Sequence, residues 1–416
     1  MAYTCDPSVE RHFKGHKNDI TGLSFHPSSN QIISSSLDRT IIVWNFGDST
    51  RAYRFSGHKD QVLDVAYAPS GEVFASVSND RSIRIWVPKI RGHSLNFGSH
   101  MGAVRSVRFS PDGKKLITAS NDKSIKLWVL SRKKFLTSFM GHTNWVNTAK
   151  FSPDGRLVVS CSDDKKIKLW DTVSGRNVKT FHEVKEAASD VEFHPSGAAI
   201  GTANIGGSIK VYDLRTACLY QHYDCHKGPV SKIRFHPNGN FMLTASWDST
   251  MKILDLLEGR PIYTLKGHSG RVTAIQFSTC GEHFISGGSD KQLFMWKSNF
   301  DKDDVIRKIP RRLIPCNAKL KLDSELSSES TIDNDFIGQQ EIHEQDESES
   351  LSTYIDELSI ERSLHGRTCT GPFSDMPRDE VDAEVINMRN MRNPGRGRVA
   401  TLSLCEHGTR STYKIT

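Results

Sequence analysis

The chain has 416 residues, 37% hydrophobic and 25% charged, with a formal net charge of +7. No apolar run approaches the length of a membrane span, and none of Cys5, Cys161, Cys218, Cys225, Cys280, Cys316, Cys369 and Cys405 forms a C-x-x-C pair. This composition argues against a membrane protein, a zinc ribbon and a disulfide scaffold, and predicts reduced thiols in a cytosolic setting.

From the start of the chain, Met1 to Val9 lacks the apolar segment of a secretory leader, so none is expected. Glu10 to Gly15 (ERHFKG) reads as an outer strand, because AYRFSG at Ala52–Gly57 and PIYTLKG at Pro261–Gly267 precede Gly-His in the same way. Three markers then recur every 42 residues. The first runs His16, His58, His100, His142, Val184, His226, His268; the second Asp38, Asp80, Asp122, Asp164, Gly206, Asp248, Asp290; the third Trp44, Trp86, Trp128, Trp170, Tyr212, Leu254, Trp296. No insertion or deletion interrupts the seven copies.

One copy shows how each is built. WVNTAKF (Trp145–Phe151) is rich in apolar and aromatic residues, as a strand is. SPDG (Ser152–Gly155) is turn chemistry: Pro presets the first corner, Asp bonds its own backbone and Gly accepts a positive φ. RLVVSCS (Arg156–Ser162) is a second strand, DDKK turns it, IKLWD (Ile167–Asp171) is a third, and residues 176–181 hold a fourth. A period near 40–45 residues with Gly-His early and Trp late is the mark of a four-stranded propeller blade. Seven copies suit a closed ring. The predicted fold is therefore all-β, with repeats near 16–56, 58–98, 100–140, 142–182, 184–224, 226–266 and 268–298, and with residues 10–15 closing the last blade.

On these residues the chain resembles the WD-repeat propellers. The resemblance implies that His, Ser or Thr, Asp and Trp of each blade form a structural hydrogen-bond chain. The members are His16, Asp38, Trp44; His58, Asp80, Trp86; His100, Asp122, Trp128; His142, Asp164, Trp170; His226, Asp248; and His268, Asp290, Trp296. A nucleophilic reading of Ser, His and Asp fails on number, since an active site needs one such set and here it recurs around the ring. A buried indole N–H and imidazole each need a partner. Blade five lacks His, Asp and Trp (Val184, Gly206, Tyr212) and is expected to be the least tightly held; blade six carries Leu254 for Trp. No catalytic, metal or cofactor site is expected.

Charge is uneven. Residues 1–300 hold 39 Lys and Arg against 26 Asp and Glu; residues 301–416 hold 16 against 22. The residue after each turn Asp is basic in five blades: Arg39, Arg81, Lys123, Lys165 and Lys291. With Arg84, Lys126, Lys168, Lys210 and Lys252 on the third strands, they predict an electropositive end of the ring, of the kind that attracts acidic protein tails, nucleic acid or phosphates. Trp145 is either an exposed aromatic anchor there or packed between blades.

Beyond residue 300 the repeat stops. Residues 301–350 read as a linker, basic and then acidic, and the stretch Asp323–Arg362 holds thirteen acidic residues and one basic. Residues 351–416 read as a largely disordered tail with one short amphipathic helix at 351–364. The segments FKGHKNDITGLSFHP, SSSLDRTIIVWNF, FSGHKDQVLDVAYAPSG, SNDRSIRIWVP and HMGAVRSVRFSPDGKKLITASNDKSIKLW resemble the Poc-one family of centriolar proteins. That resemblance implies a scaffold of centrioles and basal bodies that supports centriole assembly, stability or length and cilium formation. It implies centriolar proteins as partners, with no specific nucleic acid, membrane insertion or small-molecule substrate; the charge count adds the acidic tails of tubulin as a candidate partner of the basic end. The family's heptad-patterned C-terminal helix has no counterpart in residues 365–416. An alternative from another class is a substrate receptor of a cullin-type ubiquitin ligase, on the likeness of Val211-Tyr212-Asp213-Leu214-Arg215 to the W-D-x-R box.

Overall fold

The computed structural model describes residues 6–300 apart from 29, 47–50, 90, 133 and 183–185, together with 379–382, 384–387, 401–406 and 409–414. Every regular element among them is a β-strand. Between Ser8 and Lys297 the strands group into seven antiparallel blades. Blade one runs from an inner strand (Ile20–Phe25) through Gln31–Ser36 and Thr40–Asn45 to an outer strand (Arg51–Ser56). Blades two to six repeat this order. Blade seven takes three strands from Val272–Phe277, His283–Gly288 and Gln292–Lys297, and its outermost strand is Ser8–Lys14 from the start of the chain. That strand pairs antiparallel with Gln292–Lys297, Ser8 facing Lys297 and Lys14 facing Gln292. Val184 and the segment 301–378, including the expected helix at 351–364, lie outside the described residues.

The core follows from strand alternation. Successive side chains leave a strand on opposite faces, and each face here meets a neighbouring blade. Ile32 joins Trp44, Ala274 and Ile285 in a cluster between blades one and seven, while the adjacent Ile33 joins Val65, Phe74 and Trp86 between blades one and two. Both faces of each sheet are covered, so the second strands run Ile-Ile, Leu-Val-Val or Met-Leu rather than alternating with polar residues. The inner hairpins turn as expected, with Gly155 at φ +73°.

Each inner strand opens with a β-bulge, as between Ile20 and Gly22 or Val146 and Thr148. A bulge leaves one residue out of the ladder and re-aims its side chain, and several of these residues reach the next blade. Thr21 donates to the carbonyl of Val62 at 2.7 Å, the Asn147 amide to Ala188 at 3.1 Å, and Ser231 to Val272 at 2.5 Å. Thr273 donates to the carbonyl of Ile20, joining last blade to first. At the other end of the inner strands, His26, His194 and His236 reach across with Nε2 to the carbonyls of Gly71, Gly239 and Gly281 at 3.2, 2.8 and 3.1 Å. Their Nδ1 atoms accept from the backbone N–H of Ser28, Ser196 and Asn238, which makes Nε2 the protonated nitrogen.

Where the tail is described, it is paired to the rim. Asp379–Asp382 lies beside the outer strand of blade two (Arg91–Ser99), Glu384–Asn387 beside that of blade one, and Thr401–Glu406 beside that of blade six (Arg260–Lys266), with Thr409–Lys414 completing a hairpin. No periodicity marks these segments in the sequence. What they use is the free row of N–H and C=O groups that an outer strand presents to any extended segment.

Candidate functional site

Antiparallel order places the loop entering each inner strand and the turn between second and third strands at the same end of the ring. The Gly-His loop and the turn Asp therefore meet. In blade four, His142 lies with Nδ1 2.8 Å from Asp164 and Nε2 2.8 Å from the Ser160 hydroxyl, which accepts the Trp170 indole N–H at 2.8 Å. Asp164 also accepts the backbone N–H groups of Thr143 and Lys166. The indole can only donate, so the hydroxyl proton passes on to Nε2, and Nδ1–H donates to the carboxylate. One neutral tautomer satisfies every atom. The arrangement recurs on His16, Ser34 and Trp44, on His58, Ser76 and Trp86, on His100, Thr118 and Trp128, and on His268, Ser286 and Trp296. His16, His58, His100 and His268 face Asp38, Asp80, Asp122 and Asp290 at 2.8–3.1 Å.

Burial acts on both ends of these chains. It pushes the imidazoles of His58, His100 and His142 below their ordinary value of 6.5, against the pull of the facing carboxylate. Burial opposes ionisation of Asp38, Asp80, Asp122, Asp164, Asp248 and Asp290, yet hydrogen bonds from His and the neighbouring backbone or hydroxyls hold them below the usual carboxylate range. Ser160 is fully buried, and its oxygen is already engaged by the indole. The Asp-His-Ser geometry thus gives no access to a substrate, and the chemistry it performs is to satisfy buried polar groups.

Two blades differ. Blade six keeps His226 3.0 Å from Asp248 and 2.8 Å from Thr244. Leu254 removes the indole, and the Thr244 hydroxyl lies 3.1 Å from the carbonyl of Lys252. In blade five a Cβ added at Gly206 would fall 1.5 Å from Glu186 Oε2, so the carboxylate of Glu186 occupies the space left by the missing Asp. Sequence reasoning missed Glu186, whose only signal is an acid in the loop of the one blade lacking the turn acid.

Around this end the side chains of Arg39, Arg81, Lys123, Lys165 and Lys291 are exposed. All five sit in the left-handed region, at φ 70°, 71°, 68°, 61° and 63°; Gly207, at φ 92°, holds the place in blade five. A non-glycine residue there costs roughly 1–2 kcal/mol. The bases are therefore not what the turn prefers, and it tolerates them. Trp145 is 46% exposed, with the Arg105 guanidinium 5.1 Å from its ring. A second tryptophan, Trp247, is 47% exposed beneath Arg271 at 4.5 Å. It was not singled out from the sequence, although it immediately precedes a turn Asp. Three third-strand bases reach toward the same end: the Lys126 ammonium donates to the carbonyl of Ser99, next to His100, at 3.1 Å, and Arg84 and Lys168 lie beside Gly57 and Gly141. Lys126 and Lys168 lie over the indoles of Trp128 and Trp170, and Arg84 donates to Ser94, so their stems cover the outer part of their own blades. Among the described residues, no group of three or more His, Cys, Asp and Glu side chains is placed to hold a metal.

Seven four-stranded blades carrying this hydrogen-bond chain define a WD-repeat propeller. The WD domain, G-beta repeat family matches residues 7–45, 49–87, 92–129, 133–171, 217–255 and 259–297, and the chain belongs to that family. The interval left between 171 and 217 is blade five, where Gly206 and Tyr212 replace the markers. Among individual proteins, the chain is similar to POC1 centriolar protein homolog A of Danio rerio, 53% identical over 49 residues, 12% of each chain. It is also similar to POC1 centriolar protein homolog B of Xenopus laevis, 49% identical over 49 residues (12% of this chain, 10% of that one), and to the POC1 centriolar protein homolog of Drosophila melanogaster, 49% identical over 49 residues, 12% of each. These alignments span 10–12% of the length of the relatives they match.

Proposed function

We propose that this protein is a non-enzymatic scaffold of centrioles and basal bodies, recruited through the basic end of its propeller. The observation that carries the reading is the ring of Arg39, Arg81, Lys123, Lys165 and Lys291, five exposed bases on turns that would favour glycine. The names of the similar proteins supply the setting. The partners are centriolar proteins with acidic surfaces and the acidic tails of tubulin, attracted over distances of about a Debye length. Support of centriole assembly, stability or length and of cilium formation follows from that docking.

The test replaces Arg39, Arg81, Lys123 and Lys165 with Gly in the tagged full chain. The fold tolerates glycine at these positions, so the unfolding midpoint stays level or rises. Centriolar localisation in dividing cells is expected for the parent and lost for the variant. An unchanged centriolar signal removes the basic end from the mechanism, and a diffuse parent removes the centriolar reading. The receptor alternative rests on Arg215, exposed beyond Asp213, whose carboxylate caps the turn through the Arg215 N–H at 2.8 Å. If it holds, a cullin adaptor co-purifies with the parent and not with Arg215→Ala.

A further inference from the structure

The inner strands line the channel with charges that the scaffold reading does not use. Arg108 pairs with Asp64 at 2.7 Å. Farther round the ring, three cations share two carboxylates. Lys150 lies 3.2 Å from Asp190 and 2.7 Å from Glu192; Arg234 lies 2.7 Å and 3.0 Å from the same two; Lys232 approaches Asp190 at 3.8 Å. Arg234 also donates to Gln276 at 2.7 Å. The side chain of Asp190 has no exposure, and those of Lys150 and Arg234 have 6% each. Counting Lys232, which is 18% exposed and faces the opposite mouth of the channel beside Trp247, the cluster carries one positive charge in excess around a fully buried Asp190. Burial and the charge of Arg234 push the Lys150 ammonium down to about 8. Asp190, despite burial, is held far below the usual carboxylate range by Lys150, Lys232 and Arg234.

Lys150, Arg234 and Arg108 also line a cavity of about 560 Å³, together with Glu192 and Gln276. It opens at the end of the channel ringed by the inner hairpin turns of Pro69, Pro111 and Pro153, away from the Gly-His loops. We propose that this cavity binds a small oxyanion, a phosphate or carboxylate group, held by Lys150 and Arg234 with Arg108 beside them. The anion brings the cluster to neutrality, and it ties together blades three, four and six, which contribute these cations.

The experiment follows thermal unfolding of the full chain in chloride, with part of the chloride replaced at constant ionic strength by inorganic phosphate or, separately, by acetate. A ligand that binds only the folded state raises the midpoint in a saturable way. A saturable rise with either anion is expected, and the one effective at lower concentration identifies the group. Lys232→Met removes the excess charge from behind Asp190, on a side chain 18% exposed that faces the opposite cavity, so it spares both the fold and the residues lining this one; it loses most of the response. Glu192→Gln leaves three cations against one carboxylate and binds the anion several-fold more tightly. No rise with either anion, or an equal rise in Lys232→Met, overturns the proposal.

Discussion

Ser160 accepts the indole N–H of Trp170 and donates its own hydroxyl hydrogen bond to Nε2 of His142. Its replacement by Ala leaves both groups buried without a partner. The expected loss is about 1–3 kcal/mol, read as a lower denaturant midpoint with an unchanged slope; an unshifted midpoint would show that water enters and repairs the chain. The same residues set the response to acid. His58, His100 and His142 have folded values below 6.5, so the unfolded chain takes up protons first. Their contribution is complete above about pH 6.5 and is lost as pH falls through the folded values. The depressed carboxylates of Asp80, Asp122 and Asp164 remain charged in both states across that window, and they matter only below the ordinary value of 3.8. Thermal midpoints are therefore expected to fall between about pH 7 and pH 5, and to fall less in a variant with all three His changed to Gln. A flat profile in the parent contradicts the tautomer assignment. These contacts were legible in the sequence because each marker recurs every 42 residues. Glu186 was not, because it replaces a missing partner from a different position in a single blade.

In the blades that carry Gly-His, the Gly and the Trp of the third strand are one unit; in blade three, where Ser99 precedes His100, Gly98 meets the Trp128 ring instead. A Cβ at Gly57 would lie 2.9 Å from the Trp86 ring, and one at Gly15 2.8 Å from Trp44. Blade six has lost both halves together: Leu254 is fully buried, and Cys225 packs against the same cluster. Restoring the consensus Trp alone should therefore harm the protein. Leu254→Trp is expected to destabilise by about 1–3 kcal/mol through overpacking, and the double change Leu254→Trp with Cys225→Gly to recover most of that loss. Chemical denaturation of the two variants decides it; additive effects would mean that the two sites do not touch. The pairing is visible in the sequence only when the two markers are compared blade by blade. The His latches at His26, His194 and His236 are harder to see, since each donates to a carbonyl 45 residues on and only three blades have one.

Across the whole molecule, the ring was legible because three markers keep one phase through seven copies, and the sequence of the first strand matched the outer strands of other blades. The channel charges were not. Lys150, Glu192 and Arg234 stand at one inner-strand position and Asp190 and Lys232 at another, and both positions change residue type and charge around the ring, so their meaning appears only when the ring brings neighbours together. The closing strand has a mechanical consequence. Ser8 stands opposite Lys297, and Asn299 donates to the carbonyl of Asp6, so the two ends of the ring emerge side by side at one end of an antiparallel pair. Tension applied between those ends peels the ladder apart one rung at a time instead of shearing all rungs at once. A propeller tethered at both ends therefore yields at low force through blade seven, whereas one held by its flat end bears load with that zipper unstressed.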